Sequence, residues 1–206
     1  MNQAFLALLG AAVMAAGCYG LGALIVDWMG APLKRAERFP LSFVLGAACL
    51  HLVIFLVLTI HAGYWPVLVA LPLACIVLAV AKGSWNLKGG SMAPLGKPLT
   101  IVWGLIFATF TVLYFFNAWA PENSPDGSSY HLGFVARYMR EHGFERISTN
   151  MYASLSEGIE LLFLPAFVIG RHSAAALVHF TFLIACSLFH IRSVKECGTG
   201  NEMQRM

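Results

Sequence analysis

The feature that most constrains this fold is a series of long apolar runs separated by short polar segments. The first run, residues 4–26, contains no charged residue at all. A membrane-crossing helix needs about 20 consecutive, mainly apolar residues, and this run meets that requirement. Runs of similar character follow at residues 41–60, 65–80 and 100–119. We therefore expect an all-α fold, a polytopic bundle of membrane helices in contact with the lipid bilayer.

The composition of the chain agrees with this class. Hydrophobic residues make up 59% of the chain and charged residues 11%, whereas an average soluble domain has about 25% charged residues. The formal net charge is only +3, and no basic block is interleaved with aromatic residues, so we expect no nucleic-acid partner. The five cysteines show no zinc-site or redox spacing, and the sequence predicts neither a disulfide framework nor a metal knuckle.

A polar segment at residues 120–158 interrupts the apolar pattern after the fourth run. Residues 120–160 hold six of the ten acidic residues, namely Glu122, Asp126, Glu141, Glu145, Glu157 and Glu160. Two further apolar segments follow, within a hairpin predicted at 159–191, and a polar tail at 192–206 ends the chain. Residues 172–191 are long enough to cross a membrane. Residues 159–170 are short, and they either cross or form a half-buried helix that dips in and returns, which predicts five or six membrane segments.

The distribution of lysine and arginine predicts the orientation of the four-span region, residues 1–119. Basic loops stay on the cytoplasmic side of a membrane. The connection between the first and second runs carries Lys34, Arg35 and Arg38, and the connection between the third and fourth runs carries Lys82, Lys88 and Lys97. The connection at 61–64, between the second and third runs, carries no lysine or arginine. This alternation predicts an inner bacterial membrane protein with its amino terminus and the 120–158 loop on the periplasmic side. The basic residues of the tail conflict with that orientation if six segments cross.

The loop itself is predicted to contain a turn and an amphipathic helix. Residues 123–127 combine proline, aspartate and glycine, which favour tight turns. Residues 128–143 have helical spacing, with an apolar face formed by Leu132, Val135, Tyr138 and Met139. Gly143 is a natural helix end. We expect this helix to lie on the membrane surface with its apolar face towards the lipid.

Several polar residues of the loop have both a structural and a functional interpretation. Asp126 is either a helix cap or a reactive carboxylate held above the membrane. Tyr130 and His131 fit interfacial positions with a wet end, and Arg137 fits a solvated or snorkelling side chain. Glu160 is harder to assign to structure alone, because an acid at the head of an apolar segment is costly and tends to be functional.

The histidines inside the apolar runs receive a structural interpretation only. His51, His179 and His190 are expected to be packed or hydrogen-bonded within the bundle. The sequence assigns them no functional role.

The order of residues in the loop is similar to a known pattern. The run 125–132 reads Pro-Asp-Gly-Ser-Ser-Tyr-His-Leu, and it is followed by Ala-Arg-Tyr at 136–138, His-Gly-Phe at 142–144, Asn-Met-Tyr at 150–152 and Glu-Leu-Leu-Phe at 160–163. This pattern resembles the outside loop of bacterial polyprenyl-phosphate-dependent glycosyltransferases of the GT-C superfamily, near the protein O-mannosyltransferase and aminoarabinose transferase groups. The resemblance is specific within the loop and weak elsewhere.

The resemblance implies transfer of a sugar from a polyprenyl-phosphate carrier to an acceptor (a glycan, a lipid or a protein) on the outer side of the membrane. Asp126 matches the catalytic acid of the family. The other residues are implied to bind substrate: Arg137 and His131 the phosphate, Asn150 and Glu160 the sugar hydroxyls, with Glu122 and Tyr130 beside them. Some relatives use a divalent cation, which Glu122 and Asp126 would share here, although two acids do not predict a metal site.

The chain departs from the family pattern in two respects. In most relatives the acidic loop follows the first span, whereas here it follows the fourth. Relatives also continue through many further spans that supply donor-binding loops. The resemblance therefore predicts that this chain corresponds to an amino-terminal fragment of such an enzyme, with a product of a shifted reading frame or a degenerate copy as the alternatives, and with doubtful activity on its own.

Two other classes of function stay open on the sequence. A non-catalytic assembly or partner protein would retain the loop as a docking surface. A transporter fragment is disfavoured, because transporters need polar or broken segments near mid-bilayer, and the first four apolar runs carry no ionisable residue near their centres except His51.

Overall fold

The structure is a computed structural model that describes residues 2–33, 35–85, 97–122, 124–154 and 158–203. Every described element is helical, which confirms the all-α class. The elements are α1 (Gln3–Met29), α2 (Arg35–Thr59), α3 (Trp65–Ala81), α4 (Lys97–Trp119), a π-helical turn (Gly127–His131), α5 (Leu132–Glu141), a 3-10 turn (Met151–Ser154) and α6 (Gly158–Met203).

Four helices in the described part of the chain are long and apolar enough to cross a membrane. They span Gln3–Met29, Glu37–Thr59, Ile101–Trp119 and Gly158–Ser187, while Trp65–Ala81 is a shorter apolar helix. These helices coincide with the predicted apolar runs within a few residues at each end. Several long apolar helices are what a multi-pass membrane protein requires.

Helix α1 lies at the centre of the bundle, and its glycines allow three neighbouring helices to approach closely. A Cβ atom added at Gly46 of α2 would lie 2.6 Å from the backbone nitrogen of Gly22. A Cβ at Gly20 would lie 2.9 Å from the carbonyl oxygen of Cys75 on α3, and one at Gly10 would lie 2.8 Å from that of Ala166 on α6. Small residues at helix crossings permit the backbone contact that holds membrane helices together.

An ion pair connects the carboxyl end of α1 with the start of α2. The Nη2 atom of Arg38 lies 2.7 Å from Oδ1 of Asp27 and 3.4 Å from the carbonyl oxygen of Ser84, which follows α3. The ring of Tyr19 packs edge-on against Trp85, with centroids 5.1 Å apart. These contacts gather α1, α2 and α3 at the end of the bundle opposite to the start of α1.

Helix α6 is broken at Arg171, where the backbone has φ 61° and ψ −149°. The break divides α6 into a first part, residues 158–170, and a second part that starts at residue 172. The two apolar segments predicted at 159–170 and 172–191 therefore correspond to two separate helical pieces. Pro165 lies within the first piece without ending it.

The first part of α6 runs alongside α1 and ends beside the start of that helix. The Nε2 atom of Gln3, at the start of α1, donates a hydrogen bond to the carbonyl oxygen of Gly170 at 3.3 Å. Ser173 donates to the carbonyl oxygen of Trp119, the last residue of α4, at 3.0 Å. At the other end of this part, Glu160 bonds to His131 in the polar loop.

The conformation of Arg171 leads to a stability prediction. The region with positive φ and extended ψ is essentially restricted to glycine, and another residue there costs about 1–3 kcal/mol. We expect Arg171→Gly to increase the free energy of unfolding in detergent by about 1 kcal/mol, because the lost strain exceeds the added chain entropy. Thermal unfolding followed by circular dichroism measures the change.

Arg140→Gly serves as the matched control, since Arg140 is an exposed residue in the last turn of α5. Glycine within a helix costs up to roughly 0.5–1 kcal/mol, so the two Arg-to-Gly changes should have opposite signs. Equal destabilisation by both would contradict the break at Arg171.

Helix α5 is amphipathic, but protein covers its apolar face. Leu132, Val135 and Tyr138 are buried as predicted, and Phe134 is buried with them. They form one cluster with buried residues of the first part of α6. The expectation that this face lies on lipid was wrong, because the first part of α6 runs beneath the loop and occupies that position.

The end of α5 is attached to the turn between α2 and α3. The helix ends at Glu141, and the left-handed residue that follows is His142, with φ 60°, rather than the predicted Gly143. The amide of Gly63 donates to the carbonyl oxygen of His142 at 2.8 Å. Gly143 instead allows the loop to approach the end of α2 closely, since a Cβ at this position would lie 2.6 Å from the carbonyl oxygen of Leu58.

Candidate functional site

A cavity of about 290 Å³, here called the acidic cavity, lies beneath the polar loop where α4 ends and α6 begins. Four of the predicted site residues, three acids and one histidine, line it together with a second histidine from α6. The lining residues are Glu122, Ser124, Asp126, Gly127, His131, Leu132, Ile159, Glu160, Phe163, Ala176 and His179. The fold thus brings residues of the loop and of α6 into one site.

Asp126 lies on the first helical turn after α4, with its backbone in the right-handed helical region. The cap of this turn is Ser124, whose Oγ accepts a hydrogen bond from the amide of Gly127 at 3.0 Å. The Asp126 carboxylate makes no capping hydrogen bond, so its interpretation as a cap was wrong. The side chain is exposed, and no other described residue hydrogen-bonds to its carboxylate. The predicted turn at 123–127 is a helix start, although Asn123 lies outside the described residues.

Glu122 is held by the chain that follows it. Its Oε1 atom accepts hydrogen bonds from the backbone nitrogen of Ser124 at 2.7 Å and from the Oγ of the same residue at 2.5 Å. Gly127 leaves room for this carboxylate, because a Cβ there would lie 2.7 Å from Oε1. Glu122 therefore shapes the entrance of the acidic cavity as well as lining it.

His131 and Glu160 form a pair across the acidic cavity. The Nδ1 atom of His131 lies 2.8 Å from Oε1 of Glu160, and the side chains are 45% and 12% exposed respectively. Glu160 belongs to the first turn of α6, where the helix dipole favours a negative charge. The contact with Glu160 fixes the orientation of the imidazole, since the carboxylate occupies its Nδ1 atom.

Two predicted site residues do not line the acidic cavity, and the side chain of a third lies outside the described residues. Arg137, on α5, does not line the acidic cavity, and its buried Nε has no partner among the described residues. Asn150 caps the 3-10 turn, where its Oδ1 accepts a hydrogen bond from the amide of Tyr152 at 3.0 Å. The side chain of Tyr130 lies outside the described part of the structure, as does Glu157.

Asn150 lines a second cavity of about 840 Å³ on the far side of the first turn of α6. Polar residues of the segment 144–151 form one wall, and His51 and Phe55 of α2 form the other. Gly158 and Leu161 face this cavity, whereas Glu160 faces the acidic cavity. A single helical turn therefore separates the two spaces.

A third space of about 710 Å³, here called the α4–α6 groove, runs from the acidic cavity between two apolar helices. Its walls are mainly apolar and aromatic, and include Tyr114, Phe180 and Leu183. Four residues line both the groove and the acidic cavity: Glu122, Ser124, Ala176 and His179. The groove and the cavity therefore adjoin at these residues.

His179 is the residue of this site that the sequence analysis assigned only to packing. It lies on the second part of α6 and is exposed, and none of the described residues hydrogen-bonds to its ring. Its nearest aromatic neighbour is Phe163, with ring centroids 6.3 Å apart. No local motif in the sequence distinguishes His179 from His51, because only the position of α4 beside α6 creates the groove that His179 lines.

The described residues include no group of three or more histidine, cysteine, aspartate or glutamate side chains placed to hold a metal ion. Glu122 and Asp126 both line the acidic cavity, but no third ligand joins them within the described ranges.

Comparison of this chain with family models, with curated proteins and with solved structures gives no match in any of the three. The geometry of the acidic cavity is therefore the observation that supports a function for this chain.

Proposed function

We propose that this chain forms the extracytoplasmic acceptor-activating part of a GT-C-like membrane glycosyltransferase that uses a polyprenyl-phosphate sugar donor. The observation that carries the proposal is the Asp126 carboxylate, exposed in the acidic cavity without a hydrogen-bonding partner among the described residues. The resemblance of the loop sequence to that enzyme class supports the same catalytic role for Asp126. The His131–Glu160 pair lines the same cavity beside it.

The proposed reaction is a single group transfer. The oxygen of an acceptor hydroxyl forms a bond to the anomeric carbon of the sugar, and its proton passes to the Asp126 carboxylate. The bond between that carbon and the phosphate oxygen breaks, and the electron pair leaves with the lipid phosphate. The imidazole of His131 lines the same cavity and stabilises the negative charge that develops on the phosphate, because preorganised polar groups are most effective where charge develops. Glu160 holds the imidazole in position for this task.

We further propose a topology of five crossings. Helices α1 to α4 and the second part of α6 cross the inner membrane, and the first part of α6 stays at the periplasmic end. Two contacts support this arrangement: Gln3 with Gly170, and Trp119 with Ser173. With five crossings the basic tail at 192–206 reaches the same side as the basic loops, which removes the conflict with the positive-inside rule.

Topology and activity are tested in two separate experiments. Position 126 is changed to cysteine in a variant in which the five native cysteines are replaced, and intact cells are treated with a membrane-impermeant maleimide. We expect labelling from the periplasmic side. Wild-type protein in proteoliposomes is then expected to transfer a radiolabelled sugar from a polyprenyl-phosphate carrier to a lipid or glycan acceptor. Labelling only after the cytoplasm is opened would reject the proposal.

A second candidate function is a non-catalytic partner protein, and the exposure of α4 favours it. None of the most apolar stretch of Ile101–Trp119 is buried, so a helix of another protein has space to pack there. This candidate predicts a stable complex with a membrane protein and no sugar transfer by wild type. Co-purification from membranes together with the transfer assay separates the two functions.

A further inference from the structure

The α4–α6 groove has the polarity of a site for an amphiphilic ligand. Its walls are apolar along Tyr114, Phe180 and Leu183, and it ends at Glu122, Ser124 and His179 where it meets the acidic cavity. Its volume of about 710 Å³ lies within the range of small-molecule sites, roughly 300–1,000 Å³. The apolar side chains of α4 around it are exposed, so a lipid chain can enter from the side.

His179 is the residue at which the groove changes from apolar to polar. An ionisable side chain within a membrane segment is costly and marks a functional site unless it is paired. His179 lies in the candidate span Gly158–Ser187, it is exposed, and its ring nitrogens have no hydrogen-bond partner among the described residues. A lipid-linked phosphate at the junction would supply that partner.

We propose that the α4–α6 groove binds the single long chain of a polyprenyl phosphate, with the phosphate where the groove meets the acidic cavity, between His179 and His131, and any attached sugar beside Asp126 in that cavity. This inference rests on the proposed function, because it assigns the donor of that reaction to a place in the fold. Glu122 already accepts two hydrogen bonds from Ser124, and Glu160 is paired with His131. Asp126 therefore faces the sugar end of the ligand, away from the groove.

The test measures binding of a radiolabelled polyprenyl phosphate to the purified full chain in detergent. We expect His179→Ala to weaken binding roughly tenfold, the effect of losing a hydrogen bond to a charged group. Ala176→Trp fills the junction and should abolish binding. Two matched controls should bind as the wild type does: His51→Ala, which changes a histidine of the other cavity, and Ala108→Trp, which adds the same ring on an exposed position of α4.

Three comparisons decide the outcome. Polyprenol without phosphate should bind wild type and His179→Ala equally, because it lacks the group that His179 recognises. Excess phosphatidylglycerol should not displace the polyprenyl phosphate. Displacement by that phospholipid, or unchanged binding by His179→Ala in a monodisperse and helical sample, overturns the inference. Binding with these properties but without sugar transfer would reject only the proposed function and leave the lipid site in place.

Discussion

Replacement of Asp126 by asparagine is expected to reduce sugar transfer by roughly 10²–10⁴-fold, the usual contribution of a positioned acid–base group. Asparagine keeps the shape of the side chain but cannot take the proton of the acceptor hydroxyl. The described residues donate no hydrogen bond to this carboxylate, so the substitution removes no contact of the fold. Initial rates of transfer from a labelled polyprenyl-phosphate sugar in proteoliposomes measure the effect.

Glu141→Gln is the matched control for this substitution. Glu141 lies at the end of α5, its ion-pair contact is 3.5 Å to Arg140, and it does not line the acidic cavity. Loss of the Glu141 charge should leave the rate of sugar transfer unchanged. Glu160→Gln should give an intermediate loss, because it weakens the pair with His131 without removing Asp126. A fully active Asp126→Asn protein would show that the carboxylate has no chemical role.

The second large effect is expected at the crossing of α1 and α2. A methyl group added at Gly46 would meet backbone atoms of Cys18 and Gly22, and backbone cannot move aside as a flexible side chain can. Gly46→Ala should therefore lower the free energy of unfolding by about 1–3 kcal/mol, the typical cost of overpacking. Thermal unfolding in detergent and the yield of monodisperse protein measure the loss.

Gly104→Ala provides the control for Gly46→Ala. Gly104 lies on α4, and a Cβ there has no neighbouring atom within 4 Å. The same change should stabilise the helix by up to about 1 kcal/mol, because alanine has a higher helix propensity than glycine. The two variants differ only in the surroundings of the glycine. If both substitutions raised the unfolding temperature, the result would contradict a close backbone contact between α1 and α2 at Gly46.

The membrane helices were predictable because hydropathy and length are local properties. The apolar run at 4–26 contains no charge and corresponds to α1, and the division between 159–170 and 172–191 falls at the backbone break of Arg171. The spacing of Leu132, Val135 and Tyr138 likewise identified the buried face of α5. What covers that face was not predictable, because the covering residues belong to α6, which the periodicity of α5 does not describe.

The candidate site shows the same division between local and distant information. The sequence pattern identified Asp126, His131 and Glu160 separately, and it could not show that His131 and Glu160 form one pair. It included Arg137 and Asn150 as well, although the packing of α5 and the 3-10 turn place them outside the acidic cavity.

The amino-acid sequence by itself determined that this chain is a bundle of apolar helices with one acidic loop, since the run of residues decides whether a segment is stable in lipid. Only the tertiary structure decided that the loop rests on the first part of α6, and that His179 lies where an apolar groove adjoins the acidic cavity. Those features depend on which helices pack side by side, and glycine contacts between distant segments govern that packing.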